Sequence, residues 1–157
     1  MNYNESILFK FFKAFENVNA IEMCACYNPK IQFNNPIFGS LTTNEVCDMW
    51  QMLMDSSVKN LKINFSEIQA NEYIGTVQWI ARYNFGKKDR KIIHKIQGQF
   101  TFKEGLIIKH TDNFDFWKWS MQAYGWTGYL LGWIGFFQKK IQQNAIQSLK
   151  AYSKTNY

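Results

Sequence analysis

Apolar positions in the first third of the chain recur with helical spacing. Ile7, Leu8, Phe11, Phe12 and Phe15 share one stripe while Lys10, Lys13 and Glu16 take the other side, which predicts a core-facing helix with Asn4 as its N-cap. Asn19-Ala20-Ile21-Glu22 has the spacing of a capping box and restarts a short helix to about Tyr27, where Asn28-Pro29 stops it. An extended run at 31–33 and a turn at Asn35-Pro36 follow. Thr42-Thr43-Asn44-Glu45 then opens a third helix, with Val46, Met49, Trp50 and Leu53 at i, i+3, i+4 and i+7.

Between 58 and 116 the period changes to two. The alternating sets are Leu61, Ile63, Phe65; Val77, Trp79, Ala81, Tyr83, Phe85; Ile92, His94, Ile96, Gly98, Phe100, Phe102; and Ile108, His110, Asp112, Phe114. Turn chemistry at Asn71-Glu72, Gly86-Lys87-Lys88-Asp89 and Lys103-Glu104-Gly105 separates them, so the pattern predicts an antiparallel meander. Asp115 is expected to cap the helix that starts beside it. The tail returns to helix, with Ile141, Ala145, Leu149 and Tyr152 on one face. Helices first and strands after them argue α+β: N-terminal helices packed on a strongly curved, mainly antiparallel sheet of four to six strands, with a C-terminal helix. The expected organisation is one domain over 1–157, with its core at about 5–120 and an apolar segment plus helix at 121–153.

Composition agrees with one globular unit. The 157 residues are 46% hydrophobic and 18% aromatic with only two prolines, which excludes disordered and collagen-like classes. The formal charge of +6 names no partner by itself. The basic run Lys87-Lys88-Asp89-Arg90-Lys91 reads as a solvated turn and no nucleic-acid partner is expected, because the aromatic residues belong to the interior pattern. Cys24, Cys26 and Cys47 form neither an even set nor a C-x-x-C pair, so free thiols in a reducing compartment are expected. The opening Met1–Ser6 shows no secretory pattern, and a cytoplasmic location is the corresponding expectation. The uncharged, aromatic-rich stretch 123–137 is shorter than the roughly 20 apolar residues of a membrane span. Packing on the core or across a dimer is its expected role, with a roof over the open end of the curved sheet and contact at a bilayer surface as alternatives.

Three segments carry a resemblance. They are Tyr27-Asn28-Pro29-Lys30-Ile31-Gln32-Phe33-Asn34-Asn35-Pro36-Ile37-Phe38-Gly39, the run from Glu45 to Trp50, and His110-Thr111-Asp112-Asn113-Phe114-Asp115-Phe116-Trp117-Lys118-Trp119. The first resembles a Tyr-x-x-x-x-x-Phe-x-Asp-Pro motif of the nuclear-transport-factor-2-like cone-fold superfamily, and within it the SnoaL-like and ketosteroid-isomerase-related proteins. The resemblance implies helices lining a curved sheet around a largely apolar pocket, commonly in a homodimer. It implies no single reaction. The isomerase mechanism uses a carboxylate base with a tyrosine and a protonated aspartic acid as oxyanion donors. The matching positions here hold Asn35, Phe11 and Gly98, so neither base nor donors are present at those places. Epoxide hydrolases of the superfamily bracket an arginine with carboxylates, and Arg82-Tyr83-Asn84 offers an amide instead.

Asp112 is the remaining candidate for chemistry. Alternation puts His110, Asp112 and Phe114 on one sheet face, where apolar surroundings would raise a carboxylate's proton affinity. The competing reading makes Asp112 structural, bonded to a nearby ring or backbone group. His110 is its candidate partner in catalysis. Phe11, Phe15, Asn35, Trp50, Trp79, Tyr83, His94 and Phe114 are the candidate pocket residues. His94 and His110 on neighbouring strands are weak evidence for a metal, and neither metal nor cofactor is expected. The leading expectation is a binder of a small, largely hydrophobic molecule. The first alternative is a SnoaL- or isomerase-type enzyme using Asp112 as general acid/base on a polyketide-, steroid- or terpenoid-like substrate. A weaker one is an interaction subunit docking through the apolar C-terminal segment.

Overall fold

A computed structural model describes residues 1–57 and 59–156. Helix α1 (Tyr3–Glu16) buries Leu8, Phe11, Phe12 and Phe15, as its stripe predicts. Its N-cap is Asn2, whose side chain accepts from Glu5 N while the Glu5 carboxylate accepts from Asn2 N. Asn4 lies inside the helix instead and is buried, its amide donating to the carbonyls of Asn71 and Glu72. The capping box therefore sits two residues earlier than the stripe indicates. Helix α2 (Ala20–Cys24), capped by Asn19, ends three residues before Tyr27, and Tyr27 opens strand β1 (Tyr27–Asn35). Strand β2 (Gly39–Leu41) is followed by α3 (Thr43–Met52) with its Thr42/Glu45 capping box, then by a π-helical turn, Leu53–Ser57.

Strands β3 (Lys59–Ala70), β4 (Ile74–Phe85), β5 (Arg90–Lys103) and β6 (Leu106–Asn113) form the meander. The full sheet runs β2-β1-β6-β5-β4-β3 and is antiparallel except between β1 and β6, which pair in parallel. That pairing joins segments about 80 residues apart, and local periodicity carries no trace of it. Register shifts in β3 and between β5 and β6 bend the strands. The β5–β6 shift also corrects the predicted inward set: Ile107 is buried in place of Ile108, after which His110 and Asp112 follow the expected parity.

Helices α4 (Phe116–Tyr124), α5 (Trp126–Leu131) and α6 (Gly135–Asn156) close the open side of the curved sheet. Asp115 caps α4 by accepting from Lys118 N, as expected. Beyond the end of β6, the Gln122 side chain accepts from Ile93 N and donates to Ile93 O, so one amide substitutes there for a missing neighbouring strand. The cysteines depart from the sequence reading. Cys24 and Cys47 form a disulfide that ties α2 to α3 across 23 residues, and Cys26 is the buried free thiol. Two residues that touch in space were unpaired by any spacing rule, which is why the count of three misleads.

Candidate functional site

The concave side of the sheet and the helices around it enclose a cavity of about 270 Å3. Phe15 from α1, Trp50 from α3, Trp79 and Tyr83 from β4, His94 from β5 and Asp112 from β6 supply much of its wall. Asn35 and Phe114 line it as well. Most of the surface is ring or aliphatic carbon, so water inside gains few hydrogen bonds and an apolar occupant displaces it favourably.

Asp112 is the one carboxylate on that wall among the described residues. It is 2% exposed and anchored through a single oxygen: Oδ1 accepts from His110 Nε2 at 2.9 Å and from Trp79 Nε1 at 3.2 Å. Behind His110, Tyr27 Oη lies 2.8 Å from Nδ1 and receives the Trp50 indole N–H at 3.1 Å. An indole only donates, so Trp50 donates to Tyr27 and leaves the phenol proton available for His110 Nδ1. In the tautomer that accepts it, the imidazole proton is on Nε2 and goes to Asp112. Burial holds the Tyr27 phenol well above the ordinary tyrosine range, which keeps its proton in place for that bond. Asp112 Oδ2 has no donor among the described residues, and Asp112 forms part of the cavity wall. The site thus presents an oriented carboxylate with one oxygen free for an occupant.

A second indole–tyrosine–histidine set lies farther along the sheet. Trp119 Nε1 donates to Tyr83 Oη at 2.9 Å, and Tyr83 Oη is 3.4 Å from His94 Nδ1. Here burial pushes the Tyr83 phenol up to about 12 and the His94 imidazole down to about 3, so both are neutral at physiological pH. His94 Nε2 is buried with no hydrogen-bond partner among the described residues.

Two expected site residues stand behind the wall. Phe11 is fully buried and packs edge-on against Trp50, Phe100 and His110, and its lack of a hydroxyl removes the donor that the resemblance places there. His110 is fully buried under Phe11, Phe33, Trp50 and Phe100, and it reaches the cavity only through Asp112. Asn35 lines the cavity, but its Oδ1 is taken by Ile37 N and Phe38 N in the β1–β2 turn. At Gly98 the missing side chain leaves room that the Phe100 ring fills, 2.8 Å from where a Cβ on residue 98 would stand, with Asp112 Oδ1 beside it at 3.4 Å. An acid is therefore present beside that position, delivered from β6 rather than β5.

Sequence reasoning missed the contributions of α4 and α6. Trp119, Tyr124, Ile141, Asn144, Ala145 and Ser148 all line the cavity. The Ile141/Ala145 period was the available signal for α6, and Asn144 and Ser148 flank that same face. Among the described residues, no group of three or more His, Cys, Asp or Glu side chains is placed to hold a metal ion.

No protein-family model and no curated relative matches the chain. Solved structures do. A nuclear-transport-factor-2-like protein of unknown function from Burkholderia pseudomallei superposes with a TM-score of 0.65 at 15% identity, covering 73% of this chain and 92% of that one. A putative polyketide cyclase from a Silicibacter species gives 0.66 at 14% identity over 76% and 94%. An LEH-like epoxide hydrolase from M. tuberculosis gives 0.63 at 15% over 86% and 95%. The chain therefore has the nuclear-transport-factor-2-like cone fold. At such identities the likeness establishes architecture and leaves the chemistry to the residues on the wall.

Proposed function

We propose that this protein binds a small, largely apolar molecule carrying one hydrogen-bond donor, with the donor on Asp112 Oδ2. The observation that carries the reading is the free oxygen of an otherwise anchored carboxylate at the wall of an aromatic cavity. Size limits the occupant. A dry cavity of about 150 Å3 accepts benzene, so 270 Å3 suits a body of roughly ten to fifteen non-hydrogen atoms. A small terpenoid or a bicyclic aromatic alcohol is of that size, and a four-ring steroid exceeds it.

The test is thermal unfolding with a matched panel of 2-naphthol, naphthalene and a cyclic terpene alcohol. The alcohols raise Tm, and naphthalene, which lacks a donor, raises it less. Asp112→Asn removes the preference for the hydroxyl compounds. Absence of any shift across the panel, with no small molecule co-purifying by mass spectrometry, overturns the proposal.

A second reading has its own support. The directed Tyr27–His110–Asp112 chain orients the carboxylate and keeps its free oxygen toward the cavity, which is the geometry of a general base. In that reading Asp112 takes a proton from an acidic C–H of a carbonyl compound. Exchange of substrate hydrogen for deuterium, lost in Asp112→Asn while ligand still binds, separates enzyme from binder.

A further inference from the structure

Most of the stretch 124–137 lies outside the core and none of it is a spanning helix. Gly128 is buried, and a Cβ there would collide with the backbone carbonyl of Ser120; one on Gly132 would strike the Ser120 hydroxyl. Two glycines one helical turn apart thus form the inner face of α5 and let it lie directly on α4, where Trp117 Nε1 donates to Tyr129 O. The large side chains consequently point away from the protein. Trp126 is 73% exposed, Trp133 75% and Phe136 77%, with Tyr129, Leu130 and Leu131 also exposed. Packing on the protein's own core, the expected role of this stretch, holds for its glycines, Tyr124 and Phe137, and not for the rings of Trp126, Trp133 and Phe136.

Charge supplies the second observation. No Asp or Glu follows Asp115, while Lys118, Lys139, Lys140, Lys150 and Lys154 do, so almost all of the chain's +6 excess lies in these helices. Lys139 and Lys140 are exposed three and four residues after Phe136, on its side of α6. The basic β4–β5 turn joins the same end of the molecule, because the Arg90 guanidinium occupies the space beside Gly125 at the start of α5. Exposed Lys87, Lys88 and Lys91 flank that arginine.

We propose that the α5 face, from Trp126 to Phe136, docks on an anionic lipid bilayer, its rings at headgroup depth and its lysines on the lipid phosphates. Indole and phenol rings suit that interface because one edge is apolar and the other donates a hydrogen bond. Cations around an apolar face add attraction to acidic lipids. No helix among the described residues is long and apolar enough to cross a membrane, so this is attachment and not insertion across it. A second copy of the chain fits the face less well. Two-fold self-pairing brings the same surface against itself, and α4–α6 offer no carboxylate to meet the lysines.

The test is flotation of the full chain with phosphatidylcholine vesicles, with and without phosphatidylserine, alongside sedimentation without lipid. Binding to the phosphatidylserine vesicles, a blue shift of tryptophan emission, and loss of both at high salt are expected. Lys139→Glu with Lys140→Glu should weaken binding roughly thirtyfold or more. Trp126→Ser with Trp133→Ser and Phe136→Ser should abolish it while circular dichroism stays unchanged, since these side chains are exposed. Asp112→Asn should bind vesicles as the parent does, so a failed cavity proposal leaves this one standing. No binding to acidic vesicles overturns the proposal. If the protein also sediments as a dimer that the triple substitution dissociates, the face is a self-interface.

Discussion

Two indole–tyrosine–histidine sets face the same sheet and end differently. In the first, Trp50, Tyr27 and His110 form a closed series that terminates on Asp112, and every polar atom on the His110 ring has a partner. In the second, Trp119, Tyr83 and His94 stop at a buried Nε2 with nothing to bond. The same residue types thus serve two purposes. The closed set fixes a carboxylate in one orientation, and the open set leaves a polar atom whose cost the fold carries at the cavity wall.

Breaking the closed set has the largest expected effect at neutral pH. His110→Leu leaves Tyr27 Oη without an acceptor and strips Asp112 of its shorter bond, both in the interior. Leaving a buried phenol and a buried carboxylate each short of a hydrogen bond costs about 1–3 kcal/mol apiece, and urea unfolding at neutral pH should show a loss of that order. A loss near zero would mean that the network contributes nothing to stability.

The open set should reveal itself in acid. The His94 imidazole falls from 6.5 to about 3 because burial disfavours its charged form. Between those pH values the unfolded chain binds a proton that the native chain refuses, so stability falls as pH drops from about 6.5 towards 3. The full effect of this group is on the order of 5 kcal/mol. His94→Leu should remove that share of the acid limb and change little at pH 7. An acid limb unchanged by the substitution would show that His94 titrates normally in the folded state.

Asp112→Asn separates the two roles of the closed set. The amide keeps an acceptor near Trp79 and His110, so stability should drop by only about 1 kcal/mol. Affinity for 2-naphthol should fall more, about tenfold to a hundredfold, since a hydrogen bond to a charged group is worth about 1.5–3 kcal/mol. Equal losses in the two measurements would assign Asp112 to structure alone.

Much of this was legible in the chain. The stripes of α1 and α3, the period-two runs of β3 to β6 and the Asp115 cap all come from local spacing. Parity brought Asp112 inward correctly, but depth is not a property of parity. His110 shares the face of Asp112 and lies behind four rings, and Phe11 shares the stripe of Phe15 one turn farther from the cavity. Likewise β1 was partly hidden, since Asn28-Pro29 reads as a break and its pairing partner lies on β6. The outward rings of α5 were illegible for the opposite reason. Apolar residues are read as inward, and only the contacts of Gly128 and Gly132 with Ser120 show which face turns in.

Deleting one hydroxyl in each set sharpens the contrast. Tyr27→Phe strands two close partners, the Trp50 N–H at 3.1 Å and His110 Nδ1 at 2.8 Å. Tyr83→Phe strands the Trp119 N–H at 2.9 Å, but its bond to His94 is already 3.4 Å and contributes little. About 2 kcal/mol is expected for the first and about 1 for the second, measured by urea midpoint at constant m. The reverse order would mean that His94 is held by Tyr83 as firmly as His110 is by Tyr27, and the distinction between a closed and an open set would be lost.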